Sequence, residues 1–192
     1  FSLHPLKTLN ACGDGGVVTT NDQAIAADVK ILRNIGLRDR DNCVVWGHNS
    51  RLDTLQAAIL LTKLDYVEEW TEKRRANARF YQEVLKDLPS ITCPVEEPYE
   101  RSVYHTFVIQ AERRDELRDH LSQSGIGTSV HYPIPIHLHE AAANLGYGPG
   151  SFPVTEKQAG TILSLPVYPE LEADQLEYVV TSLHDFYKRS KA

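Results

Sequence analysis

A lone lysine near the start of the chain, Lys7, stands in a segment that is poor in charge, FSLHPLKTLNACGDGGVVTT. No other side chain from Phe1 to Cys12 carries a formal charge at neutral pH. An amine attacks a carbonyl only when it is neutral, and a setting away from water and other charges favours that form. The same residues also fit a lysine whose stem lies on an apolar surface while its ammonium reaches water. Lys7 is therefore a candidate Schiff-base lysine, with a surface lysine as the alternative.

A second candidate site is the segment GHNSRLD, in which a predicted loop leads into a helix. The first turn of a helix offers free amide groups and a positive dipole, and both favour an anion. Asn49 would add a neutral donor there, and Arg51 a forked cation. The alternative is that Asn49 only ends the loop and that Arg51 pairs with Asp53.

A third candidate is GTSVHYPIPIH, which places His131 and Tyr132 at the end of a predicted strand, before prolines that stiffen the turn. By themselves, a histidine and a tyrosine in such a place are more often structural groups than ligand contacts. The later segment LSLPVYPEL has only Tyr168 and Glu170 as titratable residues, so we predict that it packs against a larger domain.

Taken together, these segments resemble the DegT/DnrJ/StrS family of sugar-nucleotide aminotransferases, which are pyridoxal phosphate (PLP) enzymes with the aspartate aminotransferase fold. The opening segment resembles the family's lysine segment, and the resemblance continues in the family's order over essentially the whole chain, through GHNSRLDTLQAAIL, YHTFVIQ, GIGTSVHYPIPIHL and LSLPVYPEL. Leu3 and Thr8 stand where Phe and Asn are commoner in the family. The resemblance implies an α/β fold: the end of a fold type I PLP-dependent transferase large domain, followed by a small α+β C-terminal domain.

The resemblance also implies which residues hold the cofactor. Lys7 would form the Schiff base with PLP and then move the proton during turnover. Ser2 would donate a hydrogen bond to the PLP phosphate, although its residue type alone fits equally a turn hydroxyl bonded to its own backbone. Asn49 would reach the phosphate of the neighbouring subunit, which makes the expected partner a second copy of the chain in a homodimer. Arg51, His131 and Tyr132 would contact the substrate.

The implied reaction transfers an amino group from an amino acid, with glutamate as the expected donor, to a nucleotide-linked keto-sugar. PLP would become pyridoxamine phosphate (PMP) during turnover, and the amino-sugar would serve polysaccharide (including lipopolysaccharide), glycan or secondary-metabolite biosynthesis. Two alternatives are a keto-cyclitol aminotransferase of the same family and a non-catalytic sensor or structural homologue. Dehydratase relatives have histidine in place of the lysine, so Lys7 argues against them. In the family, the carboxylate and the aromatic residue that contact the PLP ring lie upstream of the lysine, outside this chain.

Composition excludes several other classes of function. The 192 residues carry a net charge of −6 with a pI near 5.7, so no broad electropositive surface for nucleic acid is expected. The three cysteines are far apart and lack zinc-binding spacing, which favours reduced thiols in a cytoplasmic protein without a metal site. No apolar run has the length of a membrane span. Because the chain begins with Phe and contains no Met, we expect it to be the later part of a longer polypeptide.

Local patterns predict the order of the elements. In the first part we expect a buried strand over 16–20, a helix capped by Asn21 and Asp22 that ends at Gly36, a loop over 37–49, and a long helix from Ser50 that continues with a break to Leu88. Beyond Pro89 we expect strands over 103–109 and 128–132 and helices over 113–124, 153–162 and 174–187. The predicted domains are therefore 1–88, the end of the large domain with its connecting helix, and 89–192, the small domain.

Overall fold

The computed structural model describes residues 1–189, and the chain forms two compact units, Phe1–Glu69 and Trp70–Ala192. The helices of the described residues are α1 (Gln23–Leu32), α2 (Thr54–Leu64), α3 (Val67–Leu85), α4 (Arg114–Gln123), α5 (Pro153–Thr161) and α6 (Ala173–Arg189). The strands are β1 (Ile91–Thr92), β2 (Phe107–Ala111) and β3 (Ile162–Leu165). Short 3₁₀ helices cover Ile136–Leu138 and Glu140–Leu145.

The division between the units lies before the boundary that the sequence predicts at Pro89. Ala78, Tyr81 and Leu85 of α3 belong to the apolar core of the second unit, so most of this helix packs with the residues that follow it. The assignment of 1–88 to a large domain and 89–192 to a small one stays a prediction.

The first unit has a small apolar cluster, formed by Leu3, Ala11 and Leu60. Its helix α1 begins as predicted, because the Asp22 carboxylate accepts hydrogen bonds from two amides of the first turn. The helix ends at Leu32 rather than at Gly36. Gly36 has a φ of +80°, and a Cβ atom there would lie 1.5 Å from the Val45 carbonyl oxygen, so the residue belongs to a tight turn.

The strand predicted over 16–20 is wrong. Gly16 makes a single bridge with Ser2, and Val17 and Val18 are exposed. A β-branched run becomes a strand only where a neighbouring strand supplies its hydrogen bonds, and among the described residues this run pairs only at Gly16 with Ser2 and at Val17 with Phe1.

The long helix also starts later than predicted, at Thr54 rather than at Ser50. The Ser50 amide donates to the Arg33 carbonyl at 2.9 Å, which holds Ser50 in the preceding loop. Asp53 is the N-cap residue, but its side chain makes no capping hydrogen bond. The predicted break is confirmed, since α2 ends at Leu64 and α3 begins at Val67.

The second unit is built on an antiparallel sheet in the order β1-β2-β3. In β2 and β3, alternate residues face the core, and these are Phe107, Ile109, Ala111, Leu163 and Leu165. Leu117 and Leu121 of α4 and Leu183 of α6 pack in the same core. The opposite face of β2 carries Val108 and Gln110 beside residues of α5.

Helices α4, α5 and α6 confirm the predictions to within a few residues, with Gly125 after α4 at a φ of +73° and Pro153 as the first residue of α5. The strands are less well predicted. The strand expected over 103–109 is β2, which begins at Phe107, and the one expected over 128–132 reduces to a bridge between Ser129 and Ser164. Among the described residues this segment pairs with β3 only at Ser129, and Pro133, which has no amide to donate, gives no further pairing at its end.

The segment LSLPVYPEL contributes to the second unit, and its packing against a larger domain stays a prediction. Its first residues form most of β3, and Leu163, Leu165 and Val167 lie in the core of the second unit. In the described part of the chain, no helix is both long and apolar enough to cross a membrane.

One hydrogen bond in this core offers a test of the packing. The Tyr81 hydroxyl, fully buried on α3, donates to the Pro166 carbonyl at 3.0 Å. Tyr81→Phe keeps the ring but leaves that carbonyl without its donor, so we expect a loss of about 1 to 2 kcal/mol in the free energy of unfolding, measured by urea titration. Tyr99→Phe, at a tyrosine that is 85% exposed, is the control and should change nothing. If Tyr81→Phe and Tyr99→Phe were equally stable, the stabilising role of the Tyr81–Pro166 hydrogen bond would be contradicted.

Candidate active site

Lys7 lies half-buried in a turn that its own neighbours define. The Lys7 amide donates to the His4 carbonyl at 2.8 Å, and the Asn10 side chain donates to the Lys7 carbonyl at 2.8 Å. On either side, the Leu3 amide donates to Gly15 and the Ala11 amide donates to Leu3. The backbone that carries the lysine is therefore fixed from Leu3 to Gly15.

Helix α2 holds the same turn from a distance in sequence. The Gln56 side chain accepts a hydrogen bond from the Cys12 amide at 2.8 Å. The Lys63 ammonium donates to the Asn10 carbonyl at 3.0 Å and to the Asn10 side-chain oxygen. Lys63 thus brings a second amine to the loop, a contact that the sequence analysis did not predict because it joins residues 53 positions apart.

Ser2 and Thr8 contribute hydroxyl groups to the same segment. The Ser2 hydroxyl accepts a long hydrogen bond from the His4 amide, 3.4 Å between the heavy atoms, which leaves its hydrogen for another acceptor. The Thr8 hydroxyl oxygen is buried and has no hydrogen-bond partner among the described residues. A buried hydroxyl without a partner is uncommon in proteins, and this one follows Lys7 directly.

Asn49 and Arg51 precede α2 at the end of the irregular segment. Asn49 pairs through its backbone with Asn34, and the segment is kept close by Gly47, where a Cβ atom would lie 2.5 Å from the Gly36 amide. Both side chains are exposed, and neither makes a hydrogen bond or ion pair with another residue from 1 to 189. The pairing of Arg51 with Asp53 that the sequence left open is therefore not formed.

His131 and Tyr132 belong to the second unit, where they line a cavity of about 400 Å³. Their rings meet edge to face with centroids 5.4 Å apart, and Tyr132 is 71% exposed. The Nδ1 atom of His131 is 2.8 Å from the hydroxyl oxygen of Ser164 on β3. Gln110, Thr155 and Gln158 add polar groups to the cavity wall, and Ile134 and Ile136 add apolar ones.

The loop that follows the cavity is fixed by Glu156 on α5. Its carboxylate accepts hydrogen bonds from the Gly150 amide at 2.8 Å and the Phe152 amide at 3.1 Å, and lies 2.9 Å from Nε2 of the buried His137. The bonds from Gly150, Phe152 and His137 hold the pKa of Glu156 below its ordinary value. One carboxylate thus ties both ends of the segment from His137 to Phe152.

The predicted site residues fall into two groups. Ser2 and Lys7 share one loop, and Asn49 and Arg51 lead into the helix that binds this loop, so all four belong to the first unit. His131 and Tyr132 lie side by side in the second unit. Ser164, Gln56 and Lys63, which hold these residues in place, are absent from the sequence predictions. Of these three residues, only Ser164 has a feature in the sequence that could have indicated its role, since it is a polar residue inside the apolar run LSLPV.

A comparison with protein-family models decides the family. The model for the DegT/DnrJ/EryC1/StrS aminotransferase family matches residues 1–184. The chain belongs to this family. The resemblance stated from the sequence motifs is thereby confirmed.

Two curated relatives in the family are similar to almost the whole chain. The erythromycin biosynthesis sensory transduction protein EryC1 of Saccharopolyspora erythraea is 46% identical, over 95% of this chain and 50% of that protein. The dTDP-3-amino-3,4,6-trideoxy-alpha-D-glucose transaminase of Streptomyces venezuelae is 42% identical, over 98% of this chain and 50% of that protein. The chain spans about half the length of the curated relatives that it matches.

A solved structure of the family confirms the fold class. The crystal structure of S. venezuelae DesV in complex with a ketimine intermediate superimposes with a TM-score of 0.93 at 42% identity, and the match covers 97% of this chain and 50% of that one. The predicted α/β fold, the later part of a fold type I transferase, agrees with this match.

The pKa of Glu156 gives a pH-dependent prediction. Because the folded-state pKa lies below the unfolded one, the ionised carboxylate stabilises the fold above about pH 4.3, and this contribution is lost as the pH falls through the folded-state value. Glu156→Gln should therefore destabilise the protein at pH 7, and its difference from the wild type should shrink below about pH 4. Urea unfolding of both proteins across this pH range measures the difference in the free energy of unfolding. Glu177→Gln, at an exposed residue of α6, is the control and should leave the stability at pH 7 nearly unchanged. If the difference between Glu156→Gln and the wild type stayed constant across the pH range, the stabilising role of the ionised Glu156 carboxylate would be contradicted.

Proposed function

We propose that the protein to which this chain belongs is a PLP-dependent aminotransferase that transfers an amino group from an amino acid to a nucleotide-linked keto-sugar. Glutamate is the proposed donor and the product is an amino-sugar. Membership of an aminotransferase family supports the reaction type. The similarity to a dTDP-amino-sugar transaminase supports the substrate class. We expect the enzyme to act in the cytoplasm.

The observation that carries this proposal is the setting of Lys7. Its backbone is fixed by hydrogen bonds within the turn and by Gln56 and Lys63 of α2, so the amine starts from a defined place. A lysine in such a place can bind a carbonyl group covalently and, when released, act as the base that moves a proton at the substrate carbon.

The residues around Lys7 fit a phosphorylated aldehyde cofactor. Lys7 supplies the amine, and the hydrogen of the Ser2 hydroxyl is available for a phosphate oxygen. The buried Thr8 hydroxyl, without a partner among the described residues, offers a further polar group in the residue that follows Lys7. When bound, PLP would supply the electron sink that allows an amino group to be exchanged for a carbonyl.

Asn49 is proposed to serve the cofactor of a second copy of the chain. Its side chain is exposed and makes no hydrogen bond with another described residue, while its backbone is held against Asn34. The first unit also exposes large apolar side chains, including Trp46 at 93% and Leu55 at 73%. Exposed apolar surface of this kind favours burial against another protein surface, which supports a homodimer.

Arg51, His131 and Tyr132 are the proposed substrate contacts. Arg51 offers a forked cation with no ion pair in the described part of the chain, a suitable partner for a charged oxygen of a diphosphate. His131 and Tyr132 offer a ring nitrogen and a hydroxyl at the wall of the cavity. A keto-cyclitol as the acceptor would need no diphosphate contact, so Arg51→Ala would then leave acceptor binding unchanged.

A regulatory role is the second candidate, because one relative is named as a sensory transduction protein. Lys7 favours catalysis over this alternative, since a protein that only senses a ligand has no need of an amine that forms a covalent bond. The catalytic and the regulatory function predict different chemistry at Lys7.

In the active protein we expect borohydride to fix the cofactor covalently on Lys7. Reduction turns the C=N bond between amine and cofactor into a stable C–N bond, so a peptide containing Lys7 should carry the added mass in a mass spectrum. Lys7→Ala should abolish the adduct and turnover, whereas the exposed Lys30→Ala should keep both. An adduct on Lys63, or none at all, would remove the proposed mechanism and favour the regulatory alternative.

The shared site can be tested by mixing the inactive Lys7→Ala variant with the poorly active Asn49→Ala variant. If Asn49 serves the partner's cofactor, a mixed dimer of Lys7→Ala and Asn49→Ala subunits combines both defects in one site and leaves the other site intact. Random exchange in an equal mixture should then restore about a quarter of the wild-type sites. Activity of the mixture measures the result.

The control for this mixture is Ser2→Ala in place of Asn49→Ala. Ser2 lies in the same loop as Lys7, so a mixed dimer with Lys7→Ala has one defect in each site and should gain no activity. A mixture with Asn49→Ala that stays inactive, although mass spectrometry shows that subunits exchange, would overturn the shared site.

A further inference from the structure

Ser164 is the buried polar residue nearest to the proposed substrate contacts. It is 6% exposed on β3, and its hydroxyl oxygen lies 2.8 Å from Nδ1 of His131. The Val108–Ser164 pair of the β2–β3 register places Ser164 on the face of the sheet that carries Val108 and Gln110, which line the cavity. The serine therefore stands behind the histidine, on the protein side of the cavity wall.

The backbone holds Ser164 from both sides. It pairs with Val108 of β2 on one side, and with Ser129 on the other, where the Ser164 amide donates to the Ser129 carbonyl at 2.7 Å. His131 follows Ser129 by two residues, so the same extended segment brings both residues to β3. A hydroxyl fixed in this way offers a rigid anchor for the imidazole.

The bond leaves one ring nitrogen of His131 without a partner. Nε2 makes no hydrogen bond with any residue from 1 to 189, and the side chain as a whole is exposed. When one ring nitrogen of a histidine is bound by the protein, this bond fixes both the ring orientation and the character of the other nitrogen. The hydrogen-bonding state of Nε2 thus depends on Ser164.

We propose that Ser164 is a positioning residue, which holds the His131 imidazole so that Nε2–H donates to an oxygen of the nucleotide-sugar substrate. A hydroxyl can donate to Nδ1 of the neutral ring and accept from Nδ1–H of the charged ring. We assign the donating role to the Ser164 hydroxyl, which puts the hydrogen of the neutral ring on Nε2, whereas an accepting hydroxyl would leave neutral Nε2 without a hydrogen. A backbone carbonyl in the same place would require the hydrogen on Nδ1 and would turn neutral Nε2 into an acceptor.

The donor character of Nε2 defines the ligand group that the cavity wall recognises. A sugar hydroxyl, a carbonyl or a phosphate oxygen can accept from Nε2–H, while an ammonium group cannot. With a donor at Nε2, this position of the cavity wall favours an oxygen atom of the ligand over an amino group. This inference rests on the proposed function, because the cavity's ligand is the substrate of that reaction.

The first measurement concerns the histidine itself and needs no substrate. In enzyme labelled with ¹⁵N-histidine, the His131 signals, assigned with His131→Gln, should show that the neutral form of the ring carries its hydrogen on Nε2 and accepts a hydrogen bond at Nδ1. Ser164→Ala should move the Nδ1 signal towards that of a free imidazole, and Ser164→Thr, which keeps a hydroxyl, should restore it. His131 signals that are identical in the wild type and in Ser164→Ala would overturn the positioning role.

The second measurement concerns binding. Ser164→Ala should raise the KM for the nucleotide sugar roughly three- to tenfold, with little change in kcat or in the KM for the amino donor. In a His131→Ala background the same substitution should add nothing, because Ser164 acts through His131. Ser182→Ala removes an equally buried serine from α6 and should leave kcat and the KM for the nucleotide sugar unchanged.

The two measurements separate the anchoring of His131 by Ser164 from the contact of His131 with the substrate. An additive loss in the double variant, or a KM that is unchanged in Ser164→Ala but raised in His131→Ala, would overturn the inference. If the ¹⁵N signals respond to Ser164 while His131→Ala itself leaves the KM unchanged, the substrate role proposed for His131 fails. The anchoring of the ring by Ser164 would then stand alone.

Discussion

The register between β2 and β3 is the constraint on which the second unit depends. Phe107 pairs with Leu165 and Ile109 with Leu163, so these four residues face the helices and form the core. The residues between them face the other way, and one of these is Ser164. A slip of one residue would turn every side chain to the opposite face. The interaction that buries the core therefore also sets Ser164 against His131.

The first unit depends on hydrogen bonds between a helix and a loop, since it has few buried apolar residues. The Lys7 turn is short, and its local hydrogen bonds could equally belong to a loop that moves as a whole. Gln56 and Lys63 of α2 prevent this by binding Cys12 and Asn10. The same helix follows directly after Asn49 and Arg51. Helix α2 is thus the element that joins the proposed cofactor residues within one unit.

The predictions from sequence succeeded where a local signal decides the structure. Asp22 caps α1, Pro153 begins α5 and Gly125 follows α4, because each of these residues acts on its own turn. Strands were predicted poorly, since a strand requires a partner that the local sequence does not reveal. The run from Gly16 to Thr20 has the residue types of a strand but lacks its neighbours, and β3 was missed because it follows α5 without a turn.

The same distinction applies to the candidate site. The segments around Lys7, Asn49 and His131 carry residue types that suggest chemistry, and their order along the chain indicated the family. The residues that hold these side chains could not be predicted, because Lys63 with Asn10 and Ser164 with His131 are contacts between residues distant in sequence. A serine between leucines is consistent with packing until the strand register shows what its hydroxyl meets.

The proposed substrate contacts combine exposed side chains with a fixed backbone. Arg51, His131 and Tyr132 are exposed, so binding a ligand would not first require breaking a buried contact. Their segments are held by backbone bonds elsewhere, in which the Ser50 amide donates to Arg33 and the Ser164 amide donates to Ser129. A backbone that is already in place loses less conformational freedom when a ligand binds, and this raises affinity without any new contact. Among the three residues, His131 has both its backbone segment and its ring anchored. We therefore expect the contact made by His131 to be the most selective for the chemistry of the ligand atom.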